Sequence, residues 1–283
     1  MSEPIARTVL AGGHAIAYVE AGPIDGPVVV LLHGLASDSN TWDRTIVPLA
    51  AHGARVLAVD LIGHGRSDKP ARSYLLDDFA DSLRDVLDAL GIDTVTICGH
   101  SLGGAIAVHF GGSHPERLER LVLVSAGGLG REVHPLLRAA ALPVAPAVLR
   151  VATTQRMRRV YAHPRLHRTL RLTSDNVTNL RRAGRALGTA EGQAAFFAAL
   201  RGVIEPAGQR GNFMDMGTLS EKVPTLLIWN ERDPVIPVAH AHAAQRHLPS
   251  SRLVVFAGAG HEPHRREPQR FADEVARFLG LIK

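Results

Sequence analysis

The chain has 283 residues, 46% of them hydrophobic, and a single cysteine, enough apolar material for one large domain or a domain with an insertion and too few thiols for a disulfide framework. Its net charge of +5 is regional, because residues 127–216 hold 14 arginines and no lysine against five acidic residues, a net +9 that leaves −4 for the rest. Arginine spread along helix-like sequence with few aromatics argues against a nucleic-acid binder, and the lack of an apolar run near ~18 residues argues against a membrane span.

The start, Met1-Ser2-Glu3-Pro4, has no basic stretch followed by an apolar core. Together with the lone Cys98, expected to be a packed and inert thiol, this predicts a soluble, cytoplasmic protein. Arg7–Leu10 and His14–Glu20 alternate in polarity around Gly12-Gly13, which predicts an antiparallel hairpin. Strand-like and helix-like runs then alternate: a strand over Val28–Leu32, a helix from about Thr41, a strand over Arg55–Val59, and a helix over Leu75–Leu90 stopped by Gly91. That helix carries Phe79, Leu83, Val86, Leu87 and Leu90 on one stripe with acids opposite. A strand over Val95–Cys98, a helix over Gly104–Ser113 and a strand over Leu118–Val124 follow, so the order is βαβ and the sheet mostly parallel.

After Val124 the rhythm breaks at Gly127-Gly128-Leu129-Gly130, and residues 127–216 read as an inserted helical cap between two parts of one core, 1–126 and 217–283. Alternation resumes with a strand over Thr225–Trp229, a helix from about Val238, a strand over Arg252–Phe256, and a final amphipathic helix carrying Phe271, Val275, Phe278 and Leu279.

The chemistry concentrates at Gly99-His100-Ser101-Leu102-Gly103, a G-x-S-x-G run between a strand and a helix. Such a run suits a serine held on a sharp, strained turn, with small residues on either side so that strand and helix pack closely. A serine hydroxyl is a weak nucleophile and needs a base, which needs an orienting acid. His261 follows the Arg252 strand in a Gly-Ala-Gly-His loop and is the candidate base; Asp233 follows the Thr225 strand and is the candidate acid, with Asp60 as an alternative. All lie after strand C-termini, where open α/β sheets place their sites. Backbone N–H groups of Leu102, at the helix start, and Leu35, after His33-Gly34, are the candidate oxyanion donors.

His33-Gly34-Leu35 with Trp42, the Asp60-Leu61-Ile62-Gly63-His64-Gly65-Arg66-Ser67 run, Gly99–Gly104, Asp233 with Pro237, and His261 with Glu267-Pro268 together resemble the α/β-hydrolase fold family, specifically its capped serine hydrolases, over nearly all of the chain. The resemblance implies a mostly parallel sheet with helices on both faces, a structural role for the Asp60–Ser67 turn, and a Ser101–His261–Asp233 triad that cleaves small or medium acyl esters, acylglycerols or lactones through an acyl-enzyme. Serine at position 101 separates the chain from relatives with a nucleophilic aspartate. Carbon–carbon hydrolysis of ring-cleavage products and acyl transfer remain alternatives, since Ser125-Ala126-Gly127-Gly128-Leu129-Gly130 is similar to enzymes of both kinds, and a non-catalytic ligand-binding member is a further one.

The expected partner is a small ester or lipid-like molecule, with no nucleic acid. No metal or organic cofactor is expected, since His240, His242 and His247 read as a surface cluster without carboxylates. In the cap, the Ala139–Leu149 run is a candidate acyl-channel lining or a packed helix pair, and Phe196, Phe197, Phe213 and Met214 are further lining or core candidates. Arg156, Arg158, Arg159, Arg165, Arg168 and Arg171 form a solvated face or a weak peripheral contact for anionic lipid.

Overall fold

The structure, a computed structural model, describes residues 3–152, 182–210 and 223–283. The segments carrying Arg156, Arg158, Arg159, Arg165, Arg168, Arg171, Phe213, Met214 and the expected cap end at 216 lie outside them.

β1 (Ile5–Ala11) and β2 (His14–Ala21) form the predicted hairpin, with Ala11 paired to His14 across Gly12 and Gly13. Both glycines have positive φ, 55° and 81°, the backbone that a two-residue turn of matching twist requires. The sheet continues through β3 (Val28–Leu32), β4 (Arg55–Val59), β5 (Val95–His100), β6 (Leu118–Val124), β9 (Thr225–Arg232) and β10 (Ser251–Ala259). β7 (Ile204–Glu205) and β8 (Gly208–Gln209) form a separate small hairpin. The eight strands run in the order β1-β2-β4-β3-β5-β6-β9-β10. Within this sheet the β1–β2 and β2–β4 pairs are antiparallel, and the strands from β4 through β3, β5, β6 and β9 to β10 pair in parallel.

Both faces of this sheet are covered, as the strand sequences require. Alternate residues point to opposite sides: Val30 and Leu32 pack with α2 (Leu76–Ala89) and α3 (Leu102–Ser113), while Val29 and Leu31 pack with α1 (Ile46–Ala51) and the C-terminal helix Pro268–Leu279. Phe79, Leu83, Val86 and Leu87 of the predicted stripe are buried on the first side; Phe271, Val275 and Leu279 on the second.

One helix begins later than expected. Instead of starting near Thr41, the chain makes a 3-10 turn over Ser39–Trp42 and enters α1 at Ile46. Asp38 accepts the Asn40 N–H at 3.0 Å and so caps the short turn, while Pro48, which has no N–H to give, is tolerated only in a first helical turn.

The chain leaves β3 for β4 on one side and returns to β5 on the other, so the C-terminal ends of β3 and β5 flank a point where strand order reverses, the usual location of a binding crevice. Between β6 and β9, neighbours in the sheet, the described residues include the helices Pro135–Ala140, Ala145–Ala152 and Ala190–Val203. Leu142, Val144 and Val148 of the apolar run 139–149 are exposed and line neither cavity at Ser101 described below, so these side chains do not form an acyl channel there. Phe196 lines the larger of those cavities and Phe197 is buried in the core.

Candidate active site

Ser101 sits between β5 and α3 with φ 54° and ψ −114°, a backbone state costing a non-glycine residue about 1–3 kcal/mol. The surroundings hold it there. The Ser101 N–H donates to Val124 O at 3.0 Å, and its carbonyl accepts the N–H groups of Gly104 at 3.0 Å and Gly127 at 2.9 Å. A side chain at 99 would run into the Gly103 carbonyl, and one at 103 into the Leu32 carbonyl. Close backbone contact, rather than conformational freedom, demands these two glycines.

The loop after β9 delivers Asp233 and the loop after β10 delivers His261. A register shift between Phe256 and Ala259, with Gly258 and Gly260 at φ 99° and 139°, turns the chain out of the sheet just before the histidine. His261 Nδ1 lies 2.8 Å from Asp233 Oδ2 and 3.1 Å from Oδ1. The Asp233 carboxylate is fully buried and also accepts Val235 N–H at 2.8 Å and Ile236 N–H at 3.1 Å. Burial alone would push this carboxyl up, but the hydrogen bond and charge of His261 and the two N–H groups outweigh it and hold it below the usual carboxylate range. An ionised carboxylate only accepts, so the proton in this bond belongs to Nδ1. Nε2 is buried and without a hydrogen-bond partner, and it makes no bond to Ser101; the two residues line one cavity of about 540 Å³.

Asp60, the alternative acid, is committed elsewhere: its carboxylate accepts Ser39 N–H at 2.7 Å and Arg66 N–H at 2.9 Å, tying together two loops after β3 and β4. Next to it, His33 Nε2 accepts Leu61 N–H at 3.0 Å, which leaves the proton on Nδ1 to be donated to Gly34 O at 2.8 Å. Burial keeps His33 below the ordinary imidazole range. This neutral ring fixes the carbonyl just before Leu35. A Cβ at Gly34 would crowd the site, lying 3.1 Å from His100 Nδ1 and 3.2 Å from Ser101 Cβ, and Ala36 takes a left-handed φ of 55°. Leu35 and Leu102 join Ser101 around a second, smaller cavity of about 40 Å³. The Leu102 N–H, at the first position of α3, has no acceptor within its helix.

Three residues that the sequence did not single out complete the site. His100 Nε2 donates to His261 O at 2.8 Å, with the two rings 4.7 Å apart. Burial, then the neighbouring His261, push the His100 imidazole down to about 4, so it stays neutral beside the candidate base. Glu262 and Arg182 meet at 3.0 Å, and Thr41 Oγ1 bonds Glu262 at 3.1 Å. Arg182 belongs to the stretch between β6 and β9, so this ion pair links that stretch to the residue beside His261. Adjacency to His261 marks Glu262 in the sequence; nothing distinguishes Arg182 from its many arginine neighbours. His240 also departs from expectation: it is buried, and its Nε2 lies 2.7 Å from Glu132 Oε2, so it is no part of a surface cluster with the exposed His242 and His247. Among the described residues no helix is long and apolar enough to cross a membrane.

Residues 27–268 match the model of the alpha/beta hydrolase fold. The chain is similar to an uncharacterized protein of Mycobacterium tuberculosis, 38% identical over 272 residues covering 94% of this chain and 79% of that protein. It is 30% identical to the 2-hydroxy-6-oxo-6-(2'-aminophenyl)hexa-2,4-dienoic acid hydrolase of Metapseudomonas resinovorans, over 97% and 91% of the two chains. Its structure superposes on a carboxylesterase of Bacillus subtilis with a TM-score of 0.71 and 26% identity, over 98% and 92% of the two chains. The strand order, the strained serine turn and the matched sequence agree, and the chain belongs to the alpha/beta hydrolase fold family.

Proposed function

We propose that this chain is a serine hydrolase of carboxylic esters, acting through an acyl-enzyme on Ser101 with His261 as base and Asp233 as its orienting acid. The observation that carries the reading is the Asp233–His261 hydrogen bond at 2.8 Å, made by a ring that lines the same cavity as Ser101. In the first step the Ser101 hydroxyl rotates toward Nε2 and gives it the proton while Oγ attacks the ester carbonyl carbon. The carbonyl electron pair moves to oxygen, where the Leu35 and Leu102 N–H groups stabilise the charge. Collapse expels the alkoxide, which takes the proton from Nε2. Water then repeats the sequence on the acyl-enzyme, giving its proton to Nε2, and Ser101 recovers that proton as the acid departs. The selecting side chains come from the stretch between β6 and β9, whose described residues Leu137, Arg182 and Val203 line the two cavities.

The charge of the larger cavity favours an ester over a ring-cleavage product. The Metapseudomonas enzyme is named for a dienoic acid, which carries a carboxylate. Here the arginine lining that cavity, Arg182, is already paired with Glu262, so the described lining offers an anion no uncompensated cation. Carbon–carbon hydrolysis is the second reading, favoured by that same relative. A panel of 4-nitrophenyl esters, acylglycerols, lactones and ring-fission dienones, tested on wild type and Ser101→Ala, decides between them. Ester turnover that is lost in the variant is expected; turnover of the dienones alone would overturn the ester reading.

A further inference from the structure

Two cavities meet at Ser101, and they divide the site's chemistry between them. Leu35, Ser101 and Leu137 line both. His100, His261 and Glu262 line only the larger, of about 540 Å³, whereas Leu102 and Ala105 line only the smaller, of about 40 Å³. A single carbonyl carbon bonded to Ser101 has to place its two other substituents in these two spaces.

Proton transfer decides which goes where. The leaving oxygen receives its proton from His261 Nε2, so the alcohol half of the ester has to lie in the cavity that His261 lines. The acyl half then lies opposite, in the small cavity beside Leu102. The residues lining that cavity include Ala105 of α3, Val133, Val203, Ile204 and Ile236, of which Ala105, Val133, Ile204 and Ile236 are buried. A single water needs about 10–15 Å³ of such space, so about 40 Å³ admits roughly three water-sized groups. There is little room beside Gly127, where a Cβ would lie 3.1 Å from Gln209 Oε1. Gln209 in turn is locked, accepting Gly128 N–H at 2.8 Å and donating to Gly130 O at 2.9 Å.

Resting on the ester reading above, we infer that the small cavity is the acyl subsite, and that the substrates are short-acyl esters, of about two to four acyl carbons, of larger uncharged alcohols. Val203, only half-buried, and Val133 set the length limit.

The test holds the alcohol fixed and varies the acid, comparing 4-nitrophenyl acetate, butanoate and octanoate, with 1-naphthyl and ethyl acetate as the converse series. Labelling of Ser101 by a small fluorophosphonate is measured in parallel. The expected result is a fall of at least tenfold in kcat/KM from butanoate to octanoate and no loss from ethyl to naphthyl acetate. Val203→Ala should raise the octanoate-to-butanoate ratio at least fivefold, and Val133→Ala serves the same purpose if the first variant fails to fold. A profile flat or rising with acyl length, with Ser101 labelled, would overturn the acyl subsite while leaving the ester reading intact. Neither labelling nor ester turnover would overturn both.

Discussion

The strand ends and the stretch between β6 and β9 contribute to the same cavities by different physical means. At the ends of β3, β5, β9 and β10 the decisive features are backbone: a positive φ at Ser101, glycines at 99 and 103 with no room for a Cβ, and paired N–H groups that hold a carboxylate. The stretch between β6 and β9 contributes side chains instead, Leu137, Arg182 and Val203, from residues whose backbone is ordinary helix or turn. The contrast teaches that reaction type and substrate choice are separable here. Substitutions at the strand ends should remove turnover, while substitutions in the other stretch should redistribute it among substrates.

The largest effect is expected at Ser101. Ser101→Ala should lower ester turnover by about 10⁴–10⁶-fold, as removal of a nucleophile does, with the circular dichroism spectrum and unfolding midpoint retained. Residual activity within tenfold of wild type would show that the strained turn serves something other than nucleophilic attack. Asp233→Asn should follow, with a loss of about 10³–10⁴-fold. An amide facing Nδ1 can present its NH₂ group as donor, which favours the tautomer with the proton on Nε2, where it blocks the base. Because the expected cause is a tautomer, KM should hardly change. A loss seen mainly in KM would mean that Asp233 shapes the pocket rather than orienting His261.

Much of the strand-end region was legible in the sequence, and the reason is that its constraints are local. Gly99, Ser101 and Gly103 are spaced by a single turn, and the hairpin at Gly12-Gly13 and the strand Leu118–Val124 are equally short-range. Asp233 and His261 stand out in the sequence as candidates because each follows a strand with a glycine or proline break. The ion pair of Arg182 with Glu262, 80 residues apart, was not legible there, nor was the engagement of Asp60 with Ser39. Such contacts depend on how loops from different strands stack, which no periodicity encodes. The burial of His240 was misjudged for the same reason, since its partner Glu132 lies 108 residues away.

The buried imidazoles give the strand-end region a pH limit of its own. Burial holds His64 down at about 3 and His100 at about 4, and places His264 well below the ordinary range, whereas the unfolded chain titrates near ~6.5. Between these values the unfolded state binds more protons, so stability is present above about pH 6.5 and is lost as pH falls toward the folded values. For His64 and His100 the loss amounts to about 2 kcal/mol each between pH 7 and pH 5. Asp233, held low in the fold, adds a further loss only at more acid pH, below the unfolded carboxylate value. Unfolding free energies from urea titrations at pH 7, 6 and 5 measure this. An unchanged value across the series would mean that these rings become protonated in the native state, and with them the neutral surroundings assigned to His261.

The smallest expected effect bears most directly on substrate choice. Glu262→Gln removes the negative charge facing Arg182 but keeps a side chain able to bond Thr41, so the larger cavity gains an uncompensated cation. An anionic alcohol group should then be tolerated where it was not. The ratio of kcat/KM for 4-acetoxybenzoate to that for phenyl acetate should rise about tenfold, well inside the attraction of about 4 kcal/mol between unit charges 4 Å apart near a protein surface. The two substrates share an acetyl group and differ only in the carboxylate, so any disturbance of the adjacent His261 cancels in the ratio. Arg182→Met should move the ratio the other way by removing a cation that faces Glu262, so that the lining becomes more negative. If both variants shift it in the same direction, or neither shifts it, the pair is a fastener between the two regions and not a filter on charge, and the cation available to a dienoic acid has to be sought elsewhere in the chain.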